Sequence, residues 1–257
     1  MIHGLDKFRE YFQDFKDNYV IIGGLASYLL LDDAGFDMAR ATKDIDLVLS
    51  VEALTDTFIS QFWKFVKAGG YTCVRKSTGK RRFYRFTHPR STEFPVMLEI
   101  LSCKTERFEL GEDGMVLPML LEDEIVSLSA ILLNKDYYDF VMKQKIELNG
   151  LIIADVSCLI PLKARAWIDN KKRRENGENI QKGDIKKHKN DIYKLSQLLK
   201  IGMLSEVPMI IQRDIRKFVA EIEEDDNLLK KLGIRNTTMD QIKQMLTEVY
   251  CINTKLK

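Results

Sequence analysis

Residues 19–49 read YVIIGGLASYLLLDDAGFDMARATKDIDLVL, and the fold turns on this stretch. Tyr19-Val20-Ile21-Ile22 is an unbroken apolar run of the length that makes a buried strand. Gly23-Gly24 predicts a tight turn after it, and Leu25 to Leu31 resumes as a helix. Residues 44–50 alternate Asp44 and Asp46 with Ile45 and Leu47, the two-residue period of a second strand. Strand, glycine turn, helix and strand together predict a sheet with helices packed on it.

Upstream, Leu5, Phe8, Tyr11, Phe12 and Phe15 recur at helical spacing and predict an amphipathic helix over residues 4–17. Downstream, Leu54, Phe58, Phe62 and Phe65 line one side of a helix over 52–68 that ends at Gly69-Gly70. Tyr71–Lys76 and Arg82–Thr87 flank Ser77-Thr78-Gly79-Lys80, which reads as a hairpin. The run PVMLEIL from Pro95 to Leu101 is a further strand with one acid, Glu99, in its middle. Residues 122–133 look helical, while 138–154 are ambiguous, with a hairpin turning at Asn149-Gly150 as one reading. From Asp155 onward helices dominate, over about 157–169, 184–200, 206–225 and 236–252.

The fold class expected is therefore α+β: a small mixed β-sheet core with flanking helices, followed by a mainly helical C-terminal region. The boundary falls between residues 105 and 120, giving 1–110 as the sheet-bearing part and 111–257 as the helical part. The two parts can share one core.

At 257 residues, 45% hydrophobic and 30% charged, with Gly 14 and Pro 5, the chain has the make-up of an ordinary globular protein rather than a disordered or collagenous one. Cys73, Cys103, Cys158 and Cys251 lie far apart with no C-x-x-C spacing, and His3, His88 and His188 are too dispersed for a zinc site. The opening residues MIHGLDKFREYF carry charges where a signal peptide needs an apolar run, and no apolar run reaches a membrane span. The expectation is a cytoplasmic protein with reduced thiols and no membrane partner. The formal net charge is only +2, yet Arg75, Lys76, Lys80, Arg81, Arg82, Arg85 and Arg90 crowd residues 75–90 with no acid among them. Residues 163–194 hold eleven Lys/Arg against five Asp/Glu. Two basic segments suit a polyanionic partner if they face each other; solvated surface is the plainer reading.

Chemistry enters with Asp44 and Asp46. Residues i and i+2 of a strand project from the same face, so the two carboxylates stand side by side. Their mutual repulsion is relieved best by a divalent cation, and oxygen ligands favour Mg²⁺ or Mn²⁺. Glu99, on another strand, is the candidate third carboxylate of a site for in-line displacement at phosphorus. Gly23-Gly24 at a helix start lets a phosphate approach free N–H groups, and Ser27 adds a hydroxyl nearby. Each piece also has a bland reading: an edge-strand acid pair facing water, an ordinary turn, a solvent-side glutamate. Their joint occurrence in this order favours the site.

This order resembles the nucleotidyltransferase superfamily with the polymerase-beta-like core, in which a glycine turn precedes an Asp-x-Asp strand and a later strand carboxylate. The run IIGGLASYLLLDDAGFDMARATKDIDLVL, with Arg40-Ala41-Thr42-Lys43-Asp44-Ile45-Asp46 at its end, is most similar to the AbiEii/AbiGii toxin branch. Leu159–Ala166 resembles that branch's helix bearing a nucleotide-side Lys, and Lys187–Leu195 resembles its basic helix. The likeness covers about residues 19–200. It departs at Gly24, where many members have Ser, and at Lys187-His188 and Lys189-Asn190, where the branch has a basic residue followed directly by Asp.

The resemblance implies an enzyme that transfers a nucleoside monophosphate from an NTP to an acceptor hydroxyl. Asp44, Asp46 and Glu99 would bind Mg²⁺ (or Mn²⁺) and carry catalysis. Gly23, Gly24, Ser27, Lys163 and Asp191 would bind the nucleotide, with Asp191 orienting Lys163 or meeting the ribose. Arg40, Lys43, Arg81, Arg82, Arg85 and Lys187 are candidates for acceptor contacts. The acceptor expected is RNA, a tRNA 3′ end, in a toxin–antitoxin or phage-defence system with an antitoxin protein as partner. Phe83, Tyr84 and Phe86 interleave with the arginines as base-stacking candidates, although alternate aromatics of a hairpin more commonly face a core. The alternatives are a small-molecule (aminoglycoside-type) nucleotidyltransferase, a non-catalytic nucleotide-binding module, and a helix-turn-helix protein over residues 155–200, for which no clear recognition helix is visible.

Overall fold

The computed structural model describes residues 3–36, 42–50, 53, 55–73, 84–101, 134–223 and 225–250. The described strands are β1 (Tyr19–Ile22), β2 (Asp44–Leu49), β3 (Thr72–Cys73), β4 (Tyr84–Thr87), β5 (Met97–Leu101), β6 (Lys145–Leu148) and β7 (Leu151–Ala154). They form one mixed sheet in the order β3-β4-β5-β2-β1-β7-β6. β2 runs parallel to β5 and β1 parallel to β7, while the other neighbours are antiparallel. Among the described residues the helices are α1 (Leu5–Phe12), α2 (Gly23–Asp33), α3 (Asp56–Gly69), α4 (Lys135–Lys143), α5 (Val156–Glu175), α6 (Lys182–Leu195), α7 (Met209–Glu221), α8 (Asp226–Lys231) and α9 (Met239–Val249). The α+β class expected from the sequence is the one observed.

The sheet draws β6 and β7 from beyond residue 110, and one hydrophobic core runs from Leu5 to Tyr250. The sheet-bearing and helical parts therefore share a core. The ambiguous stretch 138–154 resolves into the end of α4 and a hairpin turning at Asn149 (φ 51°) and Gly150 (φ 78°). Both positive φ values are what a two-residue primed turn needs, and Asn-Gly is the pair that accepts them most readily.

Element ends differ from the sequence reading for local reasons. α1 stops at Phe12, and a 3₁₀ turn over Lys16–Asn18 leads into β1. α3 starts at Asp56 because the Thr55 side chain accepts from the Phe58 N–H, 3.2 Å away. Pro208 precedes α7, and the helix ends at Glu221, after which Asp225 caps the short α8 that helical periodicity alone does not mark off. Thr238 and Gln241 form a reciprocal capping box that sets the start of α9. The helix expected over 122–133, and the turn expected at residues 77–80, lie outside the described residues.

On one face of the sheet α1 and α3 bury an aromatic cluster, in which Phe8, Phe12, Tyr19, Phe58, Phe65 and Phe86 are all fully buried. Phe86 is thus a core residue, packed on Phe62 and Trp63 and not available for base stacking. Since successive strand residues face opposite ways, Phe86 toward α3 means that Arg85 projects from the other face. On the helical side, α5 packs against α6 and α7, and α2 packs against both α5 and α6. Tyr137 donates to Asp214 Oδ2 (2.9 Å), while Arg165 pairs with Asp169 (2.9 Å) and Asp214, linking α4, α5 and α7 through buried charge.

Pro161 sits inside α5 and has no N–H, so the Ser157 carbonyl one turn earlier loses its helical donor. The Tyr250 hydroxyl, fully buried just after α9, donates to that carbonyl at 3.0 Å. The chain thereby ties the end of α9 to a gap that proline opens in α5. Tyr250→Phe is expected to destabilise the protein by about 1–3 kcal/mol, the cost of a buried acceptor left unpaired. The loss should shrink in a Pro161→Ala background, where residue 161 regains its N–H. Urea unfolding of both single variants and the double variant measures it, and equal losses in the two backgrounds would contradict the assignment.

Candidate active site

The cross-strand register builds the site. Asp46 of β2 lies opposite Ile22 of β1 on one side and Glu99 of β5 on the other, and Glu99 lies opposite Arg85 of β4. Directly opposed residues share a face, so Asp46, Glu99 and Arg85 stand in a row away from the aromatic face. Asp44 is two residues from Asp46 on the same side of β2.

α2 begins at Gly23 immediately after β1, without a separate Gly-Gly turn. Gly23 takes φ +69°, and a Cβ there would stand 2.0 Å from Asp46 Oδ2. Only glycine fits, both for the left-handed backbone and for the carboxylate packed against it. Gly24 is less constrained: a Cβ would meet Thr42 at an ordinary 3.5 Å. The Thr42 hydroxyl accepts from the Asp44 N–H at 3.3 Å, which fixes the start of β2 beside the first turn of α2. Ser27 is 2% exposed and donates its hydroxyl to the Gly23 carbonyl at 2.7 Å, so it fastens the first turn of α2 internally and offers no hydroxyl to a phosphate.

Lys163, on α5, is 6% exposed and forms an ion pair with Asp191 of α6 at 2.6 Å. A buried ammonium needs such a partner. The charges of Lys163 and of the exposed Lys187 both act on Asp46, so α5 and α6 bring their bases toward the acidic row. Lys43 is exposed at the start of β2. Arg40, Arg81 and Arg82 lie outside the described residues. Arg85 does not reach outward as an acceptor contact would: its Nε donates to Glu99 Oε1 at 2.5 Å, with side-chain exposures of 12% and 4%. This pair was missed by sequence reasoning. Its only signal there is one base and one acid on two apolar strands whose register the sequence does not set.

Burial pushes Asp46 up to about 6, and the neighbouring Asp44 carboxylate adds to the rise while Lys187, Lys163 and Arg85 oppose it. Burial likewise pushes Glu99 up to about 8, with Asp46 adding and Arg85 opposing. The two titrate as a pair, and their common cause is a pair of acids withdrawn from water side by side. A divalent cation would favour their ionised forms. Among the described residues, no three carboxylate, histidine or cysteine side chains close into a ready-made metal cage. Mg²⁺ ordinarily takes one or two protein carboxylates and completes its shell with water and substrate phosphates. Asp44 and Asp46 fit that role on donor chemistry, while Glu99 is engaged by Arg85.

Folding favours the protonated forms of Asp46 and Glu99, because both ionise later in the folded chain than their ordinary values of 3.8 and 4.5. Stability from this pair is full below those values and is lost as pH rises through about 6 and about 8. In EDTA, Asp46→Asn is therefore expected to be more stable than the wild type at pH 8, by about 1–3 kcal/mol or roughly 2–4 °C per kcal/mol. The gain should fade toward pH 4. Thermal unfolding at both pH values checks this, and a variant less stable than the wild type at pH 8 would contradict it.

No protein-family model matches the chain, and no curated protein matches it. Among solved structures the chain is similar to an antigenic nucleotidyltransferase-like protein from Paracoccidioides brasiliensis, at 15% identity and a TM-score of 0.46, over 93% of this chain and 98% of that one.

Proposed function

We propose that the chain is a divalent-cation-dependent nucleotidyltransferase that moves a nucleoside monophosphate from an NTP to an acceptor hydroxyl of RNA. The observation that carries this reading is the row of Asp46 and Glu99 in register on parallel strands, packed against the glycine start of α2 and faced by the buried Lys163. Paired acids, open backbone N–H groups and a buried base together suit a triphosphate and its cation better than they suit any neutral ligand.

Asp44 and Asp46 would hold Mg²⁺ or Mn²⁺. A cation there supplies neutralisation of triphosphate charge and a lower pKa for the acceptor hydroxyl. The chain's own groups do the rest. The N–H groups at Gly23 and Gly24 and the helix dipole of α2 receive phosphate oxygens. Lys163, kept in place by Asp191, balances the charge of the departing pyrophosphate. The acceptor oxygen bonds to the α-phosphorus, the bond from that phosphorus to the bridging oxygen breaks, and pyrophosphate leaves. The acceptor proton passes to a carboxylate, and Glu99 is the one placed beside Asp46.

An RNA acceptor, with a tRNA 3′ end as the form expected, is supported by the exposed lysines of α6: Lys182, Lys186 and Lys187 lie along it, and Lys187 acts on Asp46. A toxin role, with an antitoxin partner, rests on the likeness of residues 19–49 to the AbiEii/AbiGii branch.

The test incubates the protein with Mg²⁺, each labelled NTP in turn and total tRNA. Label should enter RNA with the wild type and fall at least about 10²-fold with Asp46→Ala or Lys163→Ala, the scale for removing an electrostatic stabiliser from a preorganised site. Incorporation should also fall steeply with added salt, as phosphate contacts require. Equal labelling by wild type and Asp46→Ala would overturn the site. Labelling of aminoglycosides and not of RNA would overturn the acceptor.

A further inference from the structure

The sheet is open at β6. Lys145–Leu148 stands last in the strand order, paired with β7 on one side and with no described strand on the other. The ladder fixes which backbone groups face outward. The Gln144 carbonyl accepts from the Asp155 N–H at 3.0 Å, so residue 144 points toward β7. Backbone groups of an antiparallel pair alternate, so Ile146 and Leu148 also turn toward β7, while Lys145 and Glu147 turn their N–H and C=O outward. Among the described residues, no backbone hydrogen bond from another segment ends on those outward groups. Ile146, between them, leaves 37% of its surface in water.

Such an edge is a template for a further strand. The sequence of β6 says which strand fits. A second copy of β6, laid antiparallel, can set Lys145 opposite Lys145 or Glu147 opposite Glu147, and either choice faces like charges. Setting Lys145 opposite Glu147 instead pairs both outward residues of each copy and joins a base to an acid on either side of the dyad. Ile146 then lies against its own counterpart at a non-hydrogen-bonded position, where side chains come closest. A lysine on an edge strand ordinarily deters such pairing, but here the acid two residues along answers it. Lys16 holds Glu147 Oε1 at 2.6 Å, yet the Glu147 side chain keeps 52% of its exposure, which leaves room for a second base.

We propose that β6 is a self-association edge: two copies of the chain pair this strand antiparallel about Ile146, with Lys145 against Glu147, and the sheet continues from one copy into the other. The edge is only 4 residues long, so the dimer buries little area and forms weakly, at high local concentration. The acidic row on β2 and β5 lies further into the sheet, and the inference does not rest on the nucleotidyltransferase reading.

Sedimentation velocity at protein concentrations up to the millimolar range tests this, with thermal unfolding as a check that each variant is folded. The wild type should pass from monomer to dimer. Lys145→Glu and Glu147→Lys should each weaken the dimer by at least about tenfold, because each turns both cross-copy pairs into like charges. An equimolar mixture of the two variants should dimerise again, since one copy then offers only acids and the other only bases. The double exchange Lys145→Glu/Glu147→Lys in a single chain should dimerise as well. Ile146→Lys should abolish association, because it sets a charge against itself on the dyad. Restoration by mixing separates the pairing from folding, as a variant that had merely lost structure is not restored by another. A wild type that stays monomeric throughout would overturn the proposal. So would a dimer that survives Ile146→Lys, or single variants that no mixture restores.

Discussion

The constraint that governs this molecule is the side-by-side placement of the half-buried Asp46 and the buried Glu99 on neighbouring parallel strands. Two carboxylates withdrawn from water destabilise a fold unless their charge is answered. The answers come from separate parts of the chain: Arg85 across β4, Lys163 from α5, and Lys187 from α6. Each reaches the row only because the sheet and the helical region share a core. The helical region is thus more than an appendage to the sheet, since it supplies two of the three bases that make the acids tolerable.

Packing explains why so short a sheet can carry this arrangement. β1 and β7 are buried along their full lengths, and the aromatic cluster under α1 and α3 closes one face. The opposite face is also apolar and buried at Val20, Ile22 and Val48, so the row of Asp46, Glu99 and Arg85 is a polar exception within it. The rest of the site is a matter of close approach. Gly23 permits α2 to start against the Asp46 carboxylate, and Thr42 pins the neighbouring strand start. On the helical side the Tyr250 hydroxyl closes the gap that Pro161 opens in α5, the helix that carries Lys163. A buried lysine two residues from a proline needs a firm helix on either side of it.

Much of this was legible in the residues. Alternation of Asp44 and Asp46 with Ile45 and Leu47 marked β2, and Asn149-Gly150 marked the hairpin, because both patterns reflect local stereochemistry. Lys163 and Asp191 were singled out through a resemblance, and they meet in the structure. What depends on register was not legible. Arg85 looked like a member of a basic hairpin because nothing local to residues 84–87 says that Glu99 lies opposite. Ser27 looked like a phosphate ligand because its turn back onto the Gly23 carbonyl follows from a helix that starts earlier than the glycine pair suggests. The sheet's use of β6 and β7 escaped for the same reason, since a parallel pairing of β1 with β7 joins segments more than a hundred residues apart.

The central claim is that the acidic row is a cation and triphosphate site. Crystals grown with Mn²⁺ and a non-hydrolysable NTP analogue test it most directly, through the anomalous signal of the metal. The account predicts a Mn²⁺ peak between the carboxylates of Asp44 and Asp46, with the triphosphate against the start of α2 and within reach of Lys163. A Mn²⁺ peak elsewhere in the chain, or a nucleotide bound away from β2, would contradict it.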